Sequence, residues 1–318
     1  MPTLTAIVPA TDEPATLGHC LAAIEAAARG PDEVIVASEP AGATPAAARN
    51  RAAERAEGEV LVFVDADVVV HPDAFSRIRA AFDSDPDLVA LFGSYDDAPA
   101  APGVVSGFRN LLHHHVHQAS PGPAATFWSG LGAVRRAAFA TAGGFEDERR
   151  WLEDVELGAR LNAARARVEL DPAIQGTHLK AWTLGAMVRM DFAERGLPWV
   201  ELALSGRAPS DALNLSWRHR LSAALCVGAL AAALTRRPLR ALAALLGLVA
   251  LNRSFYGLLA RRQGGARAAA GVGLHAVHHL AGAAAVPAGV ALYALRRPAE
   301  DRSIAASTAS ASRSAGAG

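Results

Sequence analysis

The chain has 318 residues and no net charge, which leaves room for a sizeable core and a two-part organisation. The charge is unevenly spread: from Ala208 onward thirteen arginines face three acids, and no acid occurs between Asp211 and Glu300. An acidic first part followed by an Arg-only, Ala/Leu-rich part argues against a nucleic-acid binder and for membrane attachment, and two cysteines in unrelated segments, Cys20 and Cys226, exclude a disulfide framework.

The first residues carry neither a basic nor an apolar leader region, so no cleaved signal peptide is expected. Residues 4–8 read as a first strand, 16–29 as a helix with Leu17, Leu21 and Ile24 on one face, and 33–37 as a second strand. A loop over 42–45 leads to a helix over 46–57. The run Val60-Leu61-Val62-Phe63-Val64 is a third, buried strand, and Asp65-Ala66-Asp67 stands at its carboxyl end. Carboxylates there need a cation to meet them. Asp-x-Asp at a strand end suits a hard divalent ion shared with substrate phosphates, or else simply caps the next helix. A helix over 72–83 and a strand over 88–92 continue the alternation, which predicts an α/β fold with a doubly wound, mainly parallel sheet.

Beyond Phe92 the regularity weakens. Residues 104–118 read as a helix rich in histidine and 127–134 as a strand, with Gly130 and Gly132 permitting close backbone approach. Residues 136–142 form a helix ended by Gly143-Gly144, and 153–164 a strongly amphipathic helix. Seven short pieces now line up in order: Ile7-Val8-Pro9-Ala10-Thr11-Asp12-Glu13, Ala48-Arg49-Asn50-Arg51, Gly58-Glu59, Phe63-Val64-Asp65-Ala66-Asp67, Arg135-Arg136-Ala137-Ala138-Phe139, Gly143-Gly144-Phe145-Glu146 and Glu153-Asp154-Val155-Glu156-Leu157. In this order and spacing, a little over half the chain resembles a family 2 glycosyltransferase of the GT-A fold, a Rossmann-like sheet.

The resemblance implies a nucleotide-sugar donor and Mg²⁺ or Mn²⁺ as cofactor. Asp65 and Asp67 match the metal motif, with Asp67 as the direct ligand; bound there, a cation neutralises charge on the departing diphosphate. Asp12 and Glu13 follow the first strand where the nucleoside is contacted, unless they only favour a helix amino end. The second strand ends in Ala37-Ser38-Glu39 where the family has a pair of aspartates, so Ser38 or Glu39 takes that place. Arg49 and Asn50 match an element that approaches the nucleotide. Glu153 and Asp154 match the acceptor-side acid pair, with Asp154 as the base that takes the acceptor hydroxyl's proton in an inverting transfer and Glu153 orienting acceptor or loop. His178 is a third metal ligand or a diphosphate contact and Lys180 a phosphate partner, or both belong to an interface segment with Trp182. The Gln-x-x-Arg-Trp motif of processive members is displaced around Gln175, which argues against a polysaccharide synthase. His113, His114, His115 and His117 lack a zinc-like spacing and are assigned to the acceptor path or a membrane-facing edge.

The chain therefore divides into a glycosyltransferase domain over 1–182, an amphipathic interface region over 183–216, membrane helices over 217–297 and a disordered tail over 298–318. Apolar segments 221–234, 239–260 and 268–295 predict two or three transmembrane helices, since a span takes ~20 apolar residues. The resulting expectation is a multi-pass protein of the cell membrane with its catalytic domain in the cytoplasm. It transfers a sugar, without processivity, to a lipid or lipid-linked acceptor, and nothing points to a nucleic acid or a protein partner. A nucleotidyltransferase would want a glycine-rich basic loop where Pro9-Ala10-Thr11-Asp12-Glu13 stands; a non-catalytic membrane scaffold would not need both acid pairs.

Overall fold

The structure, a computed structural model, describes residues 1–38, 42–209 and 216–296. Glu39, part of the interface region and the C-terminal tail lie outside the described residues. The first part is an α/β unit with a mixed, mostly parallel sheet. Strands β1 (Leu4–Pro9), β2 (Glu33–Ala37), β3 (Val60–Val64), β4 (Val68–Val70), β5 (Leu88–Tyr95), β6 (Gly122–Pro123), β7 (Leu131–Arg135) and β8 (Arg167–His178) pair in the order β2-β1-β3-β7-β5-β8-β4, with β6 on β8. β1 runs parallel to β2 and β3, and β5 parallel to β8, while β7 is inserted antiparallel between β3 and β5.

The apolar runs alternate faces as a buried strand must. Val60, Val62 and Val64 enter one core layer with Phe75 and Ile78 of α3 (Ala74–Ser84). Leu61 and Phe63 enter the opposite layer, where Phe63 meets Phe127, Phe139 and Phe145 at ring centroid distances of 5.1–6.5 Å. Burying a side chain of this size contributes roughly 1.5–3 kcal/mol. Helix α1 (Leu17–Glu25) follows β1, and α2 (Pro45–Arg55) opens at Thr44, whose hydroxyl accepts from the Ala47 amide at 3.1 Å, with Pro45 in the first turn. Gly143 and Gly144, at φ +82° and +69°, end α5 (Arg136–Thr141) as expected.

The sequence expectation departs from the structure in four places. The 88–92 strand runs on to Tyr95, and the 127–134 strand begins only at Leu131. β8 was not expected at all. The amphipathic interface region expected from residue 183 begins as three joined pieces: α7 (Leu184–Arg189), a π-helix Met190–Gly196 and α8 (Leu197–Leu204).

The C-terminal part comprises α9 (Trp217–Leu234), α10 (Pro238–Leu251), α11 (Arg253–Gln263) and α12 (Gly265–Arg296). It packs on α4 (Val104–Gln118), the helix expected over the same residues: Phe108 and Leu111 share a core with Phe255, Tyr256, Leu258, Leu259 and Ala268. The expectation of two or three spans is corrected downward. Among the described residues α12 alone is long and apolar enough to cross a bilayer, and α10 with α11 qualifies only as one span bent by 75° at Asn252. α9, begun by Trp217, Arg218, His219 and Arg220, does not qualify.

Candidate active site

Because β1, β2, β3 and β8 run the same way, their carboxyl ends share one edge of the sheet, and the chain's acids collect there. Asp65-Ala66-Asp67 is the turn from β3 to β4, pinned by the Asp65 amide donating to the Gly130 carbonyl at 3.0 Å. That contact needs the bare backbone before β7: a Cβ on Gly130 would meet the Trp128 ring at 2.4 Å, and one on Gly132 the Trp128 carbonyl at 2.2 Å. Both glycines therefore permit the approach read from the sequence.

The two aspartates face different partners. Asp65 receives the Arg49 guanidinium at 2.6 Å, and the same guanidinium reaches Glu153 at 2.9 Å. Arg49 is 3% exposed, and its Nε has no partner. The residue expected to approach a nucleotide thus points inward and bridges β3 to the first turn of α6 (Glu153–Ala163). Asp67 instead turns to His178 at the end of β8, 3.4 Å from its Nε2. Burial raises the Asp65 carboxyl above its ordinary value against the pull of Arg49. Burial acts on Asp67 too, but there His178, by hydrogen bond and charge, and Lys180 prevail and hold it below the ordinary value. Of the two, Asp67 is the one whose surroundings favour the ionised form.

An ionised carboxylate and an imidazole nitrogen converging at a sheet edge fit a divalent cation with positions left for phosphate oxygens. Asp67 and His178 would hold it, and Asp65 lies in the same turn. His178 is braced from behind: its ring stacks on Tyr95 at 4.2 Å and 9°, and Tyr95 in turn meets Trp128 and His113. Tyr95 escaped the sequence reading because it lay beyond the expected end of its strand. His113 and His117, 4.0 Å apart, pack in this aromatic stack, His117 buried and His113 partly so; desolvation holds His113 far below its ordinary value and His117 at about 4, so both stay neutral packing groups. His114 bonds the Tyr95 carbonyl at 2.9 Å, and His115 lies against Phe255.

The Glu153-Asp154 pair opens α6 after Leu152, a leucine held at φ +62°. A left-handed non-glycine residue costs of order 1 kcal/mol and marks a turn imposed by its surroundings. Glu153 faces Arg49 and is buried; burial first, then the Asp154 charge, push its carboxyl up to about 7 in spite of the arginine. Asp154 accepts from the Ser129 amide at 3.2 Å and stays half-buried, so of the two it is the carboxylate open to a hydroxyl.

Three expected site residues lie at the rim. Asp12 and Glu13 are exposed beyond β1, with Glu13 at φ +48°, and Ser38 is exposed at the end of β2. Asn50 does not reach this edge: its side-chain amide donates to the Phe145 carbonyl at 2.7 Å and to Asp147 at 2.6 Å, and accepts from the Phe145 amide at 2.9 Å. It pins the loop before α6. Lys180 is exposed, with its ammonium 4.8 Å from the centre of the Trp182 ring, whose other neighbour is Arg109 at 4.9 Å.

Residues 19–141 match the sequence profile of Glycosyl transferase family 2. Among solved structures, the chain is similar to the mannosyltransferase PcManGT from Pyrobaculum calidifontis in complex with GDP-Man and Mn²⁺. The two share 16% identity over 90% of this chain and 87% of that one, with a TM-score of 0.52. TarS 1-349 from S. aureus is similar at 14% identity over 59% of this chain and 64% of that one, TM-score 0.40. GalNAc-T7 with UDP, GalNAc and Mn²⁺ is similar at 15% identity, 69% and 53% coverage and a TM-score of 0.45. No curated protein sequence matches the chain.

Proposed function

From the premise that this chain carries a family 2 glycosyltransferase domain of the GT-A fold, we propose that it transfers a sugar from a nucleotide-sugar donor to a lipid or lipid-linked acceptor. Transfer is by inversion, one sugar at a time, on a membrane-attached enzyme whose catalytic part lies in the cytoplasm. The observation that carries the reading is the convergence of Asp65, Asp67, His178, Glu153 and Asp154 at one sheet edge, with Arg49 between the two acid pairs.

Asp67 and His178 hold a divalent cation, Mg²⁺ or Mn²⁺; the similar mannosyltransferase is complexed with Mn²⁺, and a nitrogen ligand beside the carboxylate suits Mn²⁺ at least as well as Mg²⁺. When bound, such a cation neutralises the charge that builds on the leaving diphosphate. Exposed Asp12 and Ser38, beyond the ends of β1 and β2, face the nucleoside, with Glu13 and Glu39 beside them in sequence, and Lys180 reaches a phosphate. Arg49 acts at one remove by orienting Asp65 and Glu153, and Asn50 by fixing the acceptor-side loop. Asp154 takes the proton of the acceptor hydroxyl as the anomeric carbon is attacked from the face opposite the diphosphate, which is what inverts the centre.

The membrane reading rests on surface chemistry. Leu230, Leu234, Leu239, Leu242, Leu246, Val286, Val290 and Leu295 are all exposed on the C-terminal helices, where large apolar side chains facing water would be unfavourable and facing lipid would not. An enzyme seated on such a surface meets acceptors anchored in the same bilayer, which supports a lipid acceptor.

The test uses the full chain in membranes with a panel of radiolabelled nucleotide sugars and extracted lipid. Label should pass into the lipid phase with Mn²⁺ or Mg²⁺, stop on chelation, and stop in Asp67→Asn. Transfer that persists in excess chelator, or label that enters only water-soluble products, overturns the metal and the acceptor parts respectively.

A further inference from the structure

Away from the carboxylate edge, three histidines meet where α9 and α12 come together. His219 lies in the first turn of α9, and His278 and His279 lie midway along α12. One ring nitrogen from each lies within 4.8 Å of the other two. We propose that His219, His278 and His279 form a second metal site, for a late first-row divalent cation of the Zn²⁺ type, which fastens the C-terminal helices to the catalytic part.

Two independent features point to a ligand. The first is the orphaned nitrogen of His279. This side chain is 2% exposed, its Nε2 is 3.0 Å from Nε2 of His275, and its buried Nδ1 has no partner. A buried polar atom without a partner is costly, and structures avoid leaving one. The hydrogen-bond chain behind it allows that nitrogen to present a lone pair. If His279 Nε2–H donates to His275 Nε2, then His275 Nδ1–H donates to the Tyr256 hydroxyl oxygen, 2.8 Å away. Every ring nitrogen of His275 and His279 is then used except His279 Nδ1, and a cation is what a buried lone pair can take.

The second feature is the carboxylate behind His278. Asp191, buried in the π-helix, lies 2.8 Å from Nδ1 of His278, and its other oxygen accepts from Arg109 of α4 at 2.7 Å. Histidines that bind metals ordinarily donate their other ring N–H to a carboxylate, which fixes the tautomer and makes the ligating nitrogen more basic. Here that leaves Nε2 of His278 free to ligate. His219 has only ring contacts, at 5.7 Å to His278 and 4.6 Å to His279, so neither of its nitrogens is committed.

The donor set decides the class of ion. Three imidazoles with no carboxylate in the cluster suit Zn²⁺, Ni²⁺ or Cu²⁺, whereas Mg²⁺ and Mn²⁺ prefer oxygen. Tetrahedral Zn–N bonds of about 2.0–2.1 Å set ligand nitrogens about 3.4 Å apart, so small ring rotations would close the cluster and leave a fourth position for water. The site would join α9 and α12 and, through Asp191 and Arg109, the π-helix and α4.

The full chain purified in detergent without added chelator should carry about one Zn²⁺ by elemental analysis after exhaustive dialysis. Stripped protein should bind Co²⁺ in a saturable way, with the strong visible absorption of tetrahedral nitrogen ligation, and Zn²⁺ should displace it. Both signals should survive Asp67→Asn, which disables the carboxylate edge, and vanish in His219→Gln and His278→Ala. Asp191→Asn keeps all three ligands and should weaken binding by about 10–100-fold. Wild-type protein that neither retains Zn²⁺ nor shows the Co²⁺ bands overturns the proposal without reliance on any variant, as does Co²⁺ binding unchanged in folded His219→Gln. The readout is metal content, so the sugar-transfer reading stands or falls separately.

Discussion

Arg49 is the residue on which the candidate site turns, and its place was only half legible. The Ala-Arg-Asn run marks it as a site residue. That its guanidinium would be buried between Asp65 and Glu153, the latter 104 positions away, depends on a packing no local pattern records. The acid pairs stand out in the sequence, Asp65 and Asp67 as carboxylates after a buried strand and Glu153-Asp154 through the resemblance, and the structure brings both to one sheet edge. Their division of labour gives two predictions. Asp154→Asn keeps one of the two oxygens that accept the Ser129 and Val155 amides and removes the proton acceptor, so the transfer rate should fall on the order of 10²-fold while donor and Mn²⁺ affinity hold steady. A folded variant with near wild-type transfer would move the base to Glu153. The second concerns pH. A carboxyl that binds its proton more tightly folded than unfolded stabilises the fold at low pH. For Glu153 that contribution is fully present below the ordinary value of 4.5 and is lost as pH rises through about 7. Glu153→Gln stays neutral, so its melting temperature relative to wild type should climb between about pH 5 and about pH 8. A difference independent of pH would show that Glu153 is not proton-bound in the fold.

Among elements, those with regular periodicity were read correctly and those shaped by their neighbours were not. The valine-rich strand, the amphipathic α6 and the histidine-bearing α4 carry their pattern in their own residues. β8 does not: its pairing with β5 shifts register twice, and Asp171-Pro172 falls in the second gap, between the Leu170 and Gln175 pairings. A proline inside a polar stretch reads as a loop until the partner strand is known. The π-helix was hidden for the same reason. Its extra residue per turn accompanies the burial of both Asp191 and Glu194, which answer Arg109 and Arg189 on other turns. β7 offers the sharpest test at this scale. Gly132→Ala would drive a methyl to 2.2 Å from the Trp128 carbonyl in a strand held on both sides, so it should destabilise by about 1–3 kcal/mol. Tm should fall by roughly 2–4 °C per kcal/mol, read in detergent. Gly185→Ala, with nothing within 4 Å, should leave it unchanged. Equal melting of the two variants would mean the β7 approach is looser than described.

At the scale of the molecule, composition announced two parts but not how they join. A boundary near residue 182 treats the first part as self-contained. In the structure α4 buries Phe108 and Leu111 against α11 and α12, and the ion pairs Asp97–Arg262 and Arg109–Asp191 cross the same seam. A chain ending at Ala208 should therefore expose that apolar face and aggregate, whereas the full chain in detergent stays monodisperse; a soluble, donor-binding 1–208 fragment would show the seam to be dispensable. Docking of this kind also fixes posture. On the proposed membrane reading, with these helices in lipid and α4 packed against α11 and α12, the catalytic edge would sweep a single plane at constant height and the search for acceptor would become two-dimensional. Acceptors whose reactive hydroxyl stands at that height meet the site at high effective concentration, and those too short or too long to reach it meet almost none. On that reading, stiffness at the seam would make the enzyme a gauge of acceptor length, a form of selectivity that requires no contact with the acceptor's chemistry.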